Sequence, residues 1–418
     1  MPSQELPSWD ERTSSEEVGA LYLHVPFCVR KCAYCDFASW ATREGDEILH
    51  RYAQSLGVEL SVWQKAGLLH GLRTAYIGGG TPSMLGKDLA GLAARIAALG
   101  VQELTAEANP ESVTAELLGT LKEAGLTRIS IGVQSTDDHE LRLLGRIHTA
   151  KQALWALREA CAAGLDVSAD LMCALPDETD ESWGRSLADV VAAGVGHISV
   201  YPLMIEEGTA FAKRYGRVAE PAWNDSDVQA RRMVAAERML SAQGFSRYEV
   251  ASYAKPGRAC LHNQAYWSGL SYLGLGTGAS GMLSRPAYER ARSVLPQLPE
   301  LAPDAYRIRI ANAVSRKDYA AAGPQDLHFT LELLTRRQAL AEDLMLAARM
   351  SRPLDPSLVA AALAEPSMGA GAALAKAQDE GLLDGRLAVT EKGWLLGNEL
   401  FGLFWDCAGD APTKVQKV

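Results

Sequence analysis

The sequence predicts an α/β fold: six repeated βα units of a parallel barrel, followed by a smaller helical domain with a winged-helix-like pattern. Three observations predict it. Short β-branched or apolar runs alternate with amphipathic helical stretches over the first half of the chain, the pattern of repeated βα units. Each run ends in a loop of small, polar or chemically useful residues, as on the face where parallel barrels build their active sites. The 418 residues exceed the roughly 250 of one barrel and leave material for a second domain.

The runs are LYLHVP at 21–26, TAYI at 74–77, ELTAEA at 103–108, RISIGV at 128–133, DVSADLM at 166–172 and HISVYPL at 197–203, six strands in all. Between the first two, Leu49, Tyr52, Leu56, Leu60 and Trp63 recur at spacings of three and four, which puts them on one helix face. Gly67, Gly100, Gly125 and Gly164 stand where helices end in a left-handed residue. From about residue 215 the alternation breaks; a helix is predicted near 226–243, then a stretch rich in Tyr, Gly and polar residues that reads as a connection. Beyond about 330 the pattern is helix, helix, helix, short β-wing and helix. The predicted segments are a polar N-terminus 1–18, the barrel 19–255, a connecting region 256–328, the C-terminal domain 329–405 and a tail 406–418.

Composition narrows the function classes. With 48% hydrophobic and 22% charged residues the chain has the apolar material of an ordinary globular protein. A net charge of -10 and a pI near 5.4 oppose nucleic-acid binding, which rests on Lys and Arg displacing counterions. The N-terminus lacks the basic start and apolar core of a secretory signal, and no apolar run reaches the roughly 18 residues of a membrane helix. A cytoplasmic protein, not an integral membrane one, is expected. Three of the seven cysteines lie between 28 and 35, and the others are scattered at 161, 173, 260 and 407, unlike a secreted disulfide framework.

The strongest motif is HVPFCVRKCAYCDF, which places Cys28, Cys32 and Cys35 as CxxxCxxC directly after the first strand. Three soft thiolates on one short loop suit iron-sulfur ligation and leave one iron of a 4Fe-4S cubane without a protein ligand. An open iron can chelate the amino and carboxylate groups of S-adenosylmethionine and pass one electron to its sulfonium, giving a 5′-deoxyadenosyl radical. A zinc site or a closed electron-transfer cluster would want a fourth ligand, for which His24 and Asp36 are the nearby candidates. Tyr34 and Phe37 flank the last cysteine, either as cluster shielding or as packing.

Further polar residues end the next strands. Gly78, Gly79 and Gly80 precede Thr81 and Pro82, and a glycine run lets backbone approach a ligand closely. Glu107 and Asn109, then Arg128, Gln134 and Ser135, then Arg146 and His148, then Asp170 read as a ring of groups at the barrel mouth able to hold a polar ligand. Singly, Glu107 or Asp170 is as readily a buried structural carboxylate.

On these residues the chain resembles the radical-SAM family of the oxygen-independent coproporphyrinogen III dehydrogenase, HemN, and within it the HemW subfamily of haem chaperones. The resemblance runs from about Tyr22 to about Phe404 through the motifs GGGTP, ExNP, GVQS, LGRxH and DLMxxLP. It implies a partial (β/α)6 barrel with a C-terminal helical domain, a 4Fe-4S cluster on Cys28, Cys32 and Cys35, and S-adenosylmethionine contacts from Tyr22, Tyr34, Gly79, Gly80, Thr81, Glu107, Gln134, Arg146 and Asp170. The dehydrogenase carries a fourth cysteine two places after the third, where this chain has Phe37, and a longer N-terminal extension. LHNQAYW at 261–267 matches HNxxYW, a motif resembling the haem-binding segment of the chaperones. His262 then supplies an imidazole for iron, with Asn263, Tyr266 and Trp267 beside the porphyrin; on the residues alone, the same segment more readily seals the barrel floor. Relatives commonly have a histidine late in the glycine-rich segment where GLGTGASG has Ser280. The expectation is a haem chaperone that hands haem to acceptor proteins. The alternatives are coproporphyrinogen III dehydrogenase, an activity not expected here, and a radical-SAM methyltransferase that opens haem.

Overall fold

The computed structural model describes residues 7–216, 221–321 and 326–415. The chain packs as two compact units, neither continuous in sequence: one comprises His24–Gln54 and Tyr76–Cys260, the other Met1–Leu23, Ser55–Ala75 and Leu261–Val418. The segments read from the sequence follow chain order, whereas these units do not.

The strands are β1 Ala20–Val25, β2 Phe27–Cys28, β3 Trp40–Ala41, β4 Thr74–Gly79, β5 Glu103–Ala108, β6 Arg128–Gln134, β7 Asp166–Cys173, β8 His197–Pro202, β9 Ser246–Arg247, β10 Ser252–Ala254, β11 Tyr272–Leu275, β12 Ser280–Ser284, β13 Arg307–Asn312, β14 Phe329–Leu334 and β15 Thr413–Val415. All six runs read as strands are strands. The cysteine-bearing unit orders its sheet β4–β5–β6–β7–β8–β10–β9, with β5 to β8 parallel and β10 antiparallel to β8. Branched residues occupy one face, such as Ile129, Ile131, Val133, Val167, Leu171, Ile198 and Val200, all buried. The other face is small or polar. Register aligns Ser130 with Ser168 and Gly132 with Asp170, then Ser168 with His197 and Asp170 with Ser199, so these side chains share one side of the sheet.

The predicted helix over Leu49–Trp63 is Glu47–Lys65, with Leu49, Tyr52, Leu56, Leu60 and Trp63 buried as the spacing requires. Gly67, Gly100, Gly125 and Gly164 all have φ between +73° and +93°, the left-handed stop that glycine adopts without steric cost. The helix expected near 226–243 is Ser226–Ala242.

In the other unit the strand order is β15–β14–β13–β12–β11–β1. Here β1 lies parallel to β11, Ala20 opposite Tyr272, and the rest pair antiparallel. The stretch read as a connection therefore contributes an ordered sheet. The C-terminal helices Arg336–Ala347, Pro356–Ala364, Ala370–Asp379 and Gly397–Trp405 enclose Leu340, Leu344, Leu358, Leu374, Leu400 and Phe404. A single bridge between Leu383 and Val389 is the short wing. The helix Trp9–Ser14 docks through Trp9, whose Nε1 donates to Asp343 Oδ2 at 2.7 Å; Arg307 Nη1 donates to the same carboxylate at 2.9 Å. Among the described residues, no helix is long and apolar enough to cross a membrane.

Candidate cluster and cofactor site

The cysteine loop is pinned at its base by the short β2–β3 pair, Phe27 opposite Trp40 and Cys28 opposite Ala41. Backbone bonds from Trp40 to Pro26 and from Thr42 to Cys28, each 2.8 Å, close it. Farther out, Ala33 donates to Leu144 at 3.0 Å and accepts from Phe211 at 2.9 Å, while Tyr34 packs against Leu144, Met172, Leu203 and Phe211. Backbone and apolar contacts thus fix the loop independently of its thiols. Cys28 is buried, Cys32 and Cys35 are half-buried, and all three are free thiols.

Burial pushes the Cys28 thiol up, offset in part by the Thr81 and Ser39 hydroxyls. The Cys35 thiol is also pushed up by burial, partly countered by the backbone at Phe37. Among the described residues, no three His, Cys, Asp or Glu side chains converge on a point that suits a single metal ion. The donors are three sulfurs on one loop with a guanidinium beside them, a set whose chemistry fits a sulfur-ligated, negatively charged cluster. His24 turns its Nε2 to the Ala38 carbonyl at 2.9 Å, and Phe37 is 61% exposed.

At the strand ends beside this loop, the last residues of β1 meet the last of β4. Gly80 N–H donates to Val25 at 2.8 Å and Thr81 N–H to Phe27 at 2.6 Å. A Cβ on Gly79, at φ +117°, would lie 2.6 Å from the His24 ring; one on Gly80 would lie 2.5 Å from the Phe27 carbonyl. The glycines are needed for this close approach of backbone to backbone. The freed Gly79 N–H donates to Glu107 Oε2 at 2.9 Å, and Tyr76 donates to Oε1 at 2.8 Å. Burial pushes the Glu107 carboxyl up to about 7 against these two bonds, with the Asp170 charge adding to the rise.

Arg146 knits three strand ends to the cysteine loop. Its Nη2 donates to Asn109 Oδ1 at 2.7 Å and to the Gly132 carbonyl at 2.8 Å; its Nη1 lies 3.5 Å from Cys32 Sγ. Asn109 in turn donates to Thr81 Oγ1 at 2.9 Å. Despite its burial, Arg146 is held even more firmly protonated by Tyr34 and Cys32 nearby. Gln134 has φ +67° where the β6–β7 register slips, a conformation that costs a non-glycine residue on the order of 1 kcal/mol or more. Asp170 accepts from Ser130 Oγ at 2.8 Å, and burial raises its pKa.

The other residues singled out fall as follows. Tyr22 is half-buried on β1. Arg128, read as a mouth residue, opens its strand at the opposite end and donates to the Arg258 carbonyl at 3.0 Å, with Glu103 at 3.9 Å. A strand's first residue in a parallel sheet lies away from the C-terminal face, which the run RISIGV alone did not convey. Ser135 donates to Glu140, and His148 is buried with Nε2 at 3.1 Å from the Val133 carbonyl. Tyr76, the partner of Glu107, was missed; its place two residues before Gly78 on an alternating strand was the available signal.

In the second unit, HNQAYW lies on the helix Leu261–Trp267. His262 is 1% exposed, with Nδ1 3.0 Å from Thr74 Oγ1, and burial pushes its pKa down to about 3. Its ring stands edge-on to Tyr266 at 4.7 Å, and Tyr266 stands edge-on to Tyr272 at 4.5 Å. Asn263 and Trp267 are half-buried, and the Arg349 guanidinium lies over the Trp267 ring at 5.2 Å.

Comparison with known proteins agrees with this architecture. Residues 22–190 match the Radical SAM superfamily. The chain is 36% identical over 389 residues to Heme chaperone HemW of Mycobacterium tuberculosis, covering 90% of this chain and 92% of that protein. It is 30% identical over 397 residues to Heme chaperone HemW of Bacillus subtilis, covering 92% and 98%. Among solved structures, coproporphyrinogen III oxidase (HemN) from Escherichia coli, a radical SAM enzyme, superposes with a TM-score of 0.70 at 21% identity, covering 94% of this chain and 92% of that one. That likeness speaks for the fold. The long, near-complete matches carry more, and by them the chain belongs to the radical-SAM family of the proteins called heme chaperone HemW.

Proposed function

We propose that the protein is a cytoplasmic haem chaperone that holds a 4Fe-4S cluster on Cys28, Cys32 and Cys35, binds S-adenosylmethionine beside it, and passes haem to acceptor proteins. The observation that carries this reading is the 36% identity spanning 92% of a relative named for haem chaperoning. Phe37, exposed where the dehydrogenase has a cysteine, favours the chaperone over the enzyme.

When bound, the cluster supplies an open iron and an electron. The chain's own groups act around it. Arg146 neutralises charge near Cys32 while bracing Asn109 and Gly132. Gly79 and Tyr76 hold Glu107 in place, and Glu107 and Asp170 offer carboxylates to the ribose hydroxyls or ammonium of S-adenosylmethionine. For haem, His262 supplies a neutral imidazole and Tyr266 and Trp267 aromatic faces. Because His262 is buried against Thr74, its ligation of iron requires the helix Leu261–Trp267 to shift.

The test is anaerobic reconstitution with iron and sulfide, then parallel incubation with haem and with coproporphyrinogen III under reducing conditions. The proposal expects haem to be bound unchanged and no protoporphyrinogen IX to form. Catalytic formation of protoporphyrinogen IX would restore the dehydrogenase, and disappearance of haem with consumption of S-adenosylmethionine would favour the methyltransferase.

A further inference from the structure

Behind Asp170, the polar face of the cysteine-bearing sheet holds the buried Ser168 and His197, with the half-buried Tyr248 against them, a line that no part of the reading above uses. We propose that Ser168, His197 and Tyr248 form a relay that positions the Asp170 carboxylate for its ligand, with His197 setting the direction of every hydrogen bond in it. This deepens, and rests on, the reading of Asp170 as a contact for S-adenosylmethionine.

The geometry comes from register. Ser168 stands opposite His197 and Asp170 opposite Ser199, so the imidazole lies one strand over and two residues back from the carboxylate. His197 Nδ1 is 2.7 Å from Ser168 Oγ, and Nε2 is 2.9 Å from Tyr248 Oη. Ser168 Oγ is 3.4 Å from Asp170 Oδ1, while Ser130 Oγ holds Oδ2 at 2.8 Å. The Cys260 N–H donates to Tyr248 Oη at 3.3 Å. Burial holds the His197 pKa well below its ordinary value, so the ring is neutral, with one donor and one acceptor nitrogen. An ionised Asp170 can only accept. In the proposed tautomer, Ser168 donates to it, Nδ1–H donates to Ser168, and Nε2 accepts from Tyr248. Every donor in the line points toward the carboxylate.

A branched apolar residue would pack at position 197 without the cost of burying a polar ring, so the imidazole calls for a use. Asp170 is half-buried, and burial raises its pKa; the Ser130, Ser199 and Ser168 hydroxyls and the Arg128 charge oppose that rise. The remaining groups that sense its charge are Glu107 from β5, Tyr76 from β4 and Tyr201 from β8. Removing Ser168 takes one donor from the carboxylate, and removing Nδ1–H leaves the Ser168 proton undirected; either raises the pKa further. Binding that needs the ionised form then fails at a higher pH.

The amide of asparagine places its N–H near the position of Nδ1, and that of glutamine near Nε2. His197→Asn thus keeps the donor to Ser168, whereas His197→Gln loses it; both remove the ring. Binding of S-adenosylmethionine to the reconstituted full chain is measured by equilibrium dialysis from pH 5.5 to 8.5, with cluster absorbance as the folding control. His197→Gln and Ser168→Ala are expected to weaken binding at neutral pH about five-fold, the worth of one long hydrogen bond, and to move its loss on acidification to higher pH. His197→Asn is expected to keep the wild-type profile. Glu107, whose pKa the Asp170 charge raises, titrates in every variant, so the comparison reads the coupled pair.

If His197→Gln and His197→Asn behave alike, shifted or not, the relay is overturned and His197 is only packing. If one of the pair fails to fold, Ser168→Ala decides: a wild-type pH profile there is equally fatal. Asp170→Asn tests the underlying reading separately, because undiminished binding in that variant removes Asp170 from the cofactor site whatever the relay does. In the cofactor-free protein, isotope-edited infrared spectra of the aspartates should show the Asp170 carboxylate protonating at higher pH in His197→Gln than in His197→Asn.

Discussion

His262 gives a quantitative handle on the segment proposed to meet haem. Its ring is buried beside Thr74, and burial moves its pKa from 6.5 to about 3. In the folded chain the ring is neutral; in the unfolded chain it protonates below 6.5. Its contribution is therefore fully present above pH 6.5 and is lost as pH falls toward 3. Each unit is worth about 1.4 kcal/mol, so lowering pH from 7 to 5 should cost about 2 kcal/mol of unfolding free energy through this residue.

His262→Gln keeps a polar side chain and removes the titration. Urea unfolding of both proteins at pH 7 and pH 5, followed by circular dichroism and by tryptophan fluorescence, measures the difference. His24 and His197, whose pKa values burial also lowers, titrate in both proteins and drop out. The wild type should lose about 2 kcal/mol more than the variant. Equal losses, within about 0.5 kcal/mol, would refute the reasoning and mean that the helix Leu261–Trp267 opens readily enough to hydrate the ring. The same burial keeps the imidazole in its neutral, ligating form at neutral pH.

The remaining expectations test other parts of the account. Cys28→Ser, Cys32→Ser or Cys35→Ser should each abolish the absorption of the reconstituted cluster, which in the wild type should contain about four irons; a variant with full iron content would contradict the ligand assignment. Asp343→Ala leaves the Arg307 guanidinium buried without its carboxylate and removes the acceptor of Trp9. It should lower unfolding free energy by about 3–5 kcal/mol, and a loss under about 1 kcal/mol in urea titration would show that water or rearrangement replaces the pair. Arg146→Lys cannot reproduce a fork that reaches Asn109, Gly132 and Cys32 together; it should weaken binding of S-adenosylmethionine by about ten-fold, roughly the loss of one charge-assisted bond, while the cluster still forms.

The strands that frame the cysteine loop were legible because each is a β-branched run ending in small or polar residues, and a parallel sheet buries both faces of such runs. The cysteine loop was legible from spacing alone. Strands β11 to β14 were not: SGMLS alternates weakly, RIRIAN alternates Arg with Ile but stands alone in a stretch rich in Gly, Pro and polar residues, and both draw their order from partners far along the chain, Ser280 opposite Ala311 and Arg307 opposite Leu334. LHNQAYW read both as a haem-binding segment and as a seal of the barrel floor; the partner of the buried His262, Thr74, lies 188 residues earlier and could not be read from the segment. The serines and histidine behind Asp170 passed as ordinary strand residues, since only register across β6, β7 and β8 puts them on one face. Arg128 was misplaced for a related reason: motif order gives the strand, and direction along the sheet gives the end.

The most direct test of the central claim is titration of haem into the anaerobically reconstituted protein, read at the Soret band alongside the same titration of His262→Ala. The account expects about one haem per chain, with a shifted Soret band that is lost and an affinity that is weakened in the variant, while the cluster absorption stays unchanged in both. A wild-type protein that carries its cluster yet binds no haem would contradict it.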